Sequence, residues 1–195
     1  MEKVKTFLAD ISDLLNEKNY QKIYKKVPAF RQEKADRLKH REDQAQSVGA
    51  WYLWMKIQER HKIPQDAGQS FNLSHSGKYV LCSAGVSGER VGCDIECMRK
   101  YHERLAEKYF CSSEYERIRN ADEAERTEMF YRYWVLKESF LKATRKGLVM
   151  GLNTSEIQIP KQGDPFFLRD PGNLLFKRIS DRWSKDCGVL NKSEF

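Results

Sequence analysis

The chain opens on a short apolar patch, Val4 to Leu8, whose pattern predicts a strand ended by Asp10 and Ser12. From Leu14 to Val27 the apolar residues fall at 14, 15, 20, 23, 24 and 27, a helical spacing. Pro28 punctuates this run and suits the first turn of a new helix. Helical spacing then continues from Ala29 to about Glu59, with a break expected near His40. Trp51, Tyr52, Trp54, Met55 and Ile57 make this the most apolar helical stretch, and core packing accounts for them.

Pro64 to Ser70 reads as a loop. Phe71 to Gly77 then enters a strand that runs through Tyr79 to Ala84. Ser87-Gly88-Glu89 is a turn signal, and Val91 to Glu96 reads as a second strand closing a hairpin. Ser112-Ser113-Glu114 looks like a helix start. Glu128 to Arg145 is a strong amphipathic helix, with Phe130, Tyr133, Trp134 and Leu141 on its apolar period and Gly147 expected to end it. Leu148 to Phe195 alternates in places and reads as short strands. Helices precede strands in both halves. The pattern therefore predicts an α+β fold of two αβ lobes, residues 1–97 and 98–195, within one compact unit.

With 195 residues, 40% hydrophobic and 32% charged, the chain can build a sizeable core and remain globular. No apolar run approaches the ~20 residues of a spanning helix. The first residues lack the apolar core of a signal peptide, so a cytoplasmic location without membrane attachment is expected. Five cysteines without a Cys-x-x-Cys pair argue against a disulfide framework or structural zinc. The net charge is +7, and between Lys25 and Arg41 seven Lys or Arg face only Glu33 and Asp36. A solvated helix face, a polyphosphate ligand, nucleic acid or an acidic protein would each fit that excess.

Three segments carry possible chemistry. In Gly92-Cys93-Asp94-Ile95-Glu96, residues two apart on a strand would share a face, so Asp94 and Glu96 would point together. Paired carboxylates repel unless a proton or cation intervenes, and magnesium is a natural hard-oxygen partner. An exposed strand with two ordinary acids would read the same. In Trp134 to Lys142, Glu138 and Lys142 share a helix face, which a surface ion pair would also explain. Glu138 lies a turn from Trp134 and Leu141, near the edge of the buried face. In Ser74-His75-Ser76-Gly77, a histidine among hydroxyls beside a glycine could cradle phosphate, or be structural.

Together these segments resemble the surfactin-synthetase-activating type of 4'-phosphopantetheinyl transferase. The resemblance rests on Phe71 to Ser76, Gly92 to Glu96 and Trp134 to Lys142, in that order. It extends to Lys108 to Tyr115, Lys146-Gly147-Leu148 and the basic stretch Arg31 to Asp43. Where the family has Gly-Lys-Pro this chain reads His61-Lys62-Ile63-Pro64, and its end, Arg182 to Leu190, matches the family poorly.

The resemblance implies a monomer of two pseudo-symmetric lobes with coenzyme A bound between them. It implies transfer of phosphopantetheine to a serine of an acyl or peptidyl carrier protein, with no role for nucleic acid. It makes Asp94, Glu96 and Glu138 magnesium ligands, with Glu138 also the base for the carrier serine. Lys142 would contact the pyrophosphate, Ser74 and His75 the coenzyme phosphates, and Arg31, Lys34 and Ser47 the 3'-phosphate. Arg104, Lys108 and the aromatics Tyr109 and Phe110 are expected to meet the acidic carrier, although Phe110 and Leu105 would equally suit a core. A magnesium-dependent nuclease or phosphohydrolase is the alternative for the same acids, and a non-catalytic binding module a second.

Overall fold

The computed structural model describes residues 4–63, 71–85, 90–145, 151–160, 166–169 and 188–189, the last two stretches as backbone only. The chain is α+β and divides into two compact units. One comprises Met1–Glu96 with Lys185–Phe195, the other Cys97–Ser184.

In the first unit, strand β1 (Val4–Asp10) is followed by a short 3-10 turn at Ser12–Leu15, then helices α1 (Glu17–Tyr24), α2 (Ala29–Asp36) and α3 (Arg41–His61). Strands β2 (Phe71–Ser76) and β3 (Tyr79–Gly85) follow. The break expected near His40 is present, with His40 as the extended cap of α3. Pro28 is not inside the next helix but caps it, at φ −61° and ψ 154°.

The sheet order is β2-β3-β1-β6, where β6 is Gly188–Val189 and runs parallel to β1. The other two pairings are antiparallel. One face carries Phe7, Ala9, Val80, Cys82, Ala84, Phe71 and Leu73 against α3, burying Val48, Leu53, Trp54 and Ile57. The opposite face carries Leu8 and Leu81 under Cys93, with Tyr79 and Ile95 beside them. Gly49 lets α3 approach the 3-10 turn: a Cβ there would lie 2.8 Å from Ile11 Cγ2. Helix α3 thus needs its one glycine for packing rather than for backbone freedom.

The hairpin differs from the sequence reading. The expected single strand from Phe71 to Ala84 is two strands, because Gly77 turns at φ 54° and opens a two-residue connection between them. Val91 to Glu96, expected as the second hairpin strand, is irregular. The turn signal Ser87-Gly88-Glu89 and the loop Pro64 to Ser70 lie outside the described residues.

The second unit contains α4 (Glu103–Tyr109), α5 (Ser112–Arg119), α6 (Glu123–Thr144) and the antiparallel pair β4 (Glu156–Gln158) and β5 (Phe166–Arg169). Its core gathers Ala106, Phe110, Ile118, Phe130, Tyr133, Ile157 and Ile159. Helix α6 begins five residues earlier than the periodicity suggested and ends at Thr144, where Arg145 takes the left-handed conformation at φ 59°. The expected cap Gly147 lies outside the described residues. Among the described residues no helix is long and apolar enough to cross a membrane.

Candidate active site

The acids of Gly92 to Glu96 are placed by strand β2. Side chains two apart on a strand share a face, and Asn72, Ser74 and Ser76 form such a series. Asn72 Oδ1 accepts the Cys93 N–H at 3.0 Å. Ser74 Oγ donates to Asp94 Oδ1 at 2.8 Å and accepts the Ile95 N–H at 3.4 Å. Ser76 Oγ lies 3.1 Å from Glu96 Oε2 and donates to it. Both carboxylates are therefore held toward one face of β2, as the spacing suggested, although not by strand alternation of their own segment. Asp94 is half-buried and Glu96 exposed.

Ser74 and His75 are neighbours in sequence but project to opposite faces of β2. His75 is exposed and shares its face with Phe71 and Leu73, the side on which α3 packs. That side also holds Arg31. Its guanidinium lies 4.4 Å over the Trp51 ring, which in turn meets Phe71 edge-on at 5.8 Å. Burial lowers the Arg31 pKa from its ordinary value. Arg31 Nε, Trp51 Nε1 and the buried Ser47 Oγ are donors without a hydrogen-bond partner among the described residues. Ser47 and Trp51 are one turn apart on α3. Lys34, one turn along α2 from Arg31, is exposed.

Glu138 and Lys142 lie one turn apart on α6, both half-buried. Among the described residues no three or more His, Cys, Asp or Glu side chains form a ready metal cluster. The structure brings Asp94 and Glu96 together in the first unit, and places Glu138 and Lys142 in the second.

Residues 90–185 match the model of the 4'-phosphopantetheinyl transferase superfamily. The 4'-phosphopantetheinyl transferase Sfp of Bacillus subtilis (strain 168) is 34% identical over 101 residues, covering 52% of this chain and 44% of that protein. Over that segment the chain is similar to the 4'-phosphopantetheinyl transferase superfamily. A second relative, the 4'-phosphopantetheinyl transferase ffp of Bacillus subtilis, is 27% identical over 76% of this chain and 74% of its own length. The L-aminoadipate-semialdehyde dehydrogenase-phosphopantetheinyl transferase of Xenopus laevis is 37% identical over 46% of this chain and 32% of its own. Like the Sfp match, the next two Bacillus subtilis and Synechocystis matches span less than half of those relatives, 48% and 34%.

Within the superfamily segment the sequence reading passed over Lys137, the residue before Glu138. Its side chain is fully buried, and its ammonium pairs with Glu114 Oε2 at 2.8 Å. The two remaining protons go to the carbonyls of Leu152 at 2.8 Å and Ser155 at 2.6 Å. Glu114 is equally satisfied, accepting the N–H of Ile157 through Oε1 and that of Cys111 through Oε2. The signal was present: Lys137 falls on the apolar face of α6 with Tyr133, Phe140 and Leu141, where a lone cation must find a partner.

The reading of Phe110 is also decided. It is 4% exposed, packed against Phe130 and Tyr133, and so belongs to the core. Leu105, the other residue that suited a core, is 37% exposed, beside the exposed Arg104 and Lys108.

Removing one member of a buried, hydrogen-bonded pair leaves the other charge uncompensated, at a cost of about 3–5 kcal/mol. Lys137→Met is therefore expected to destabilise the chain by about that amount in urea unfolding. Unfolding unchanged from wild type would contradict the buried pairing.

Proposed function

We propose that the chain transfers 4'-phosphopantetheine from coenzyme A to a serine hydroxyl of an acyl or peptidyl carrier protein, releasing adenosine 3',5'-bisphosphate. The observation that carries the reading is the acid pair Asp94 and Glu96, seated on the hydroxyls of β2 in a chain similar to this superfamily. The nuclease or phosphohydrolase alternative has no support in the comparisons. The reading also entails a monomeric cytoplasmic enzyme that uses no nucleic acid, with two similar lobes.

In the reaction, the carrier serine Oγ attacks the β-phosphorus of coenzyme A. The bond from that phosphorus to the bridging oxygen breaks, and the adenosine bisphosphate leaves with the electron pair. Serine is a poor nucleophile at neutral pH, and Glu138 takes its proton. Lys142 offsets charge growing on the leaving phosphate. Asp94, Glu96 and Glu138 offer the hard oxygen donors that magnesium prefers, and Asp94 and Glu96 already share a face. When bound, magnesium would neutralise pyrophosphate charge and act as a Lewis acid.

Arg31, Lys34 and Ser47 are taken to hold the 3'-phosphate, and Ser74 and His75 the other phosphates of the coenzyme. The unpartnered donors Arg31 Nε and Ser47 Oγ support this, since a buried donor without an acceptor is costly until one arrives. Arg104 and Lys108 are exposed cations on α4, suited to steer an acidic carrier, with Leu105 rather than Phe110 as the apolar neighbour.

The reaction is tested by mass spectrometry of an apo-carrier incubated with the chain, coenzyme A and magnesium. A gain of one phosphopantetheine is expected. It should vanish in Asp94→Ala, whose melting temperature stays near wild type because loss of one acid relieves like-charge repulsion. No mass gain on any carrier would refute the activity.

The double variant Arg31→Ala/Lys34→Ala should bind coenzyme A at least about tenfold more weakly in calorimetry, while dephospho-coenzyme A binding barely changes. Equal losses for both ligands would remove these residues from the 3'-phosphate. Reversing Arg104 and Lys108 to Glu should raise the KM for the carrier, with the effect shrinking as salt rises, and leave the KM for coenzyme A unchanged. Carrier kinetics unaltered at low salt would place docking elsewhere.

A further inference from the structure

We infer that Asn72 and Ser76 are positioning residues for the acid pair, so that β2 sets how Asp94 and Glu96 are presented to a divalent cation. This rests on the reading of those acids as cation ligands.

The segment that carries the acids is irregular and cannot orient them through a backbone ladder. Two kinds of contact attach it to the sheet among the described residues. Cys93 and Ile95 pack on Leu8, Leu81 and Tyr79, which fixes the depth of the segment but not its register, because apolar contact is non-directional. Register comes from the side chains of β2. Asn72 supplies an acceptor at the Cys93 N–H, where a neighbouring strand would have offered a carbonyl. The Asn72 carbonyl also accepts the Cys93 thiol at 3.2 Å. Ser76 closes the series at its other end by donating to Glu96. The rungs join 72 to 93, 74 to 94 and 95, and 76 to 96, so the segment runs in the same direction as β2, from 93 to 96 against 72 to 76.

Glu96 needs the last rung most. It is exposed, its side chain is long, and its neighbour Asp94 repels it. A carboxylate held through one oxygen by a hydroxyl keeps its other oxygen directed, at an entropy cost already met before any cation binds. Hydrogen-bond partners of metal-binding side chains commonly change metal affinity by 10- to 100-fold. Because Ser76 is not deeply buried, the effect expected here sits at the low end of that range.

The test is manganese binding, followed by electron paramagnetic resonance, on the full chain with coenzyme A present. Ser76→Ala should raise the manganese Kd about tenfold and leave the melting temperature unchanged, and Ser76→Thr, which restores the hydroxyl, should recover wild-type affinity. Unchanged manganese affinity in Ser76→Ala, while Glu96→Gln weakens binding, would overturn this inference alone. Equal loss of affinity and melting temperature in both Ser76 variants would also overturn it, making the residue structural. A Glu96→Gln variant that binds manganese as wild type does, or a wild-type chain that binds none, would overturn the cation reading together with it.

Discussion

A lysine and a glutamate buried side by side fix the second unit. Two charges taken from water each forfeit several kcal/mol of hydration, and their attraction recovers this only when every remaining proton and lone pair is satisfied. Lys137 meets that condition with three acceptors, and Glu114 with three donors. The consequence is directional. Apolar packing along Phe130, Tyr133 and Phe140 would tolerate small rotations of α6, whereas an ammonium caged by the 152–155 carbonyls and Glu114 does not. The same pair ties the start of α5 and the entry to β4 to the middle of α6.

The first unit solves the same problem without buried charge. Strand β2 lies at the end of the described sheet, and its two faces carry different side-chain chemistry. On one, alternate hydroxyl and amide side chains hold the acid segment; on the other, Phe71 and His75 stand toward α3, with Trp51 and Arg31 beyond. A period of two residues thus separates carboxylates from cations by the thickness of one strand. Opposite charges that would neutralise each other in one pocket are kept apart.

Much of this was legible from pattern. The helix break at His40 and the core role of the aromatic run in α3 follow from the pattern, whereas Asp94 and Glu96 share a face only because the hydroxyls of β2 hold them, their own segment being irregular. What was not legible came from single residues with two meanings. Gly77 read as the entry to one strand because strand-forming runs, Phe71 to Leu73 and Tyr79 to Cys82, lie on both sides of it; its positive φ is a three-dimensional fact. Arg145 ends α6 in a left-handed conformation that glycine usually takes, so the expected stop at Gly147 was too late. Lys137 carries a signal, a cation on an apolar face, but its partner Glu114 lies on another helix and spacing does not name it. The bond from Asn72 to Cys93 joins residues of unremarkable type, and spacing alone does not reveal it.

Strand β6 pairs with β1 in parallel, Phe7 beside Gly188 and Leu8 beside Val189. The two ends of the described chain therefore meet within one sheet, and the whole second unit is threaded between β3 and β6. During synthesis, β1, β2 and β3 can assemble as soon as they emerge, while the edge of β1 stays open until Gly188 and Val189 have been made. Closing so long a loop is slow, and an open strand edge in the meantime is a template for pairing with other chains. The kinetic hazard of this architecture thus falls on β1, far in sequence from the residues proposed to do the chemistry.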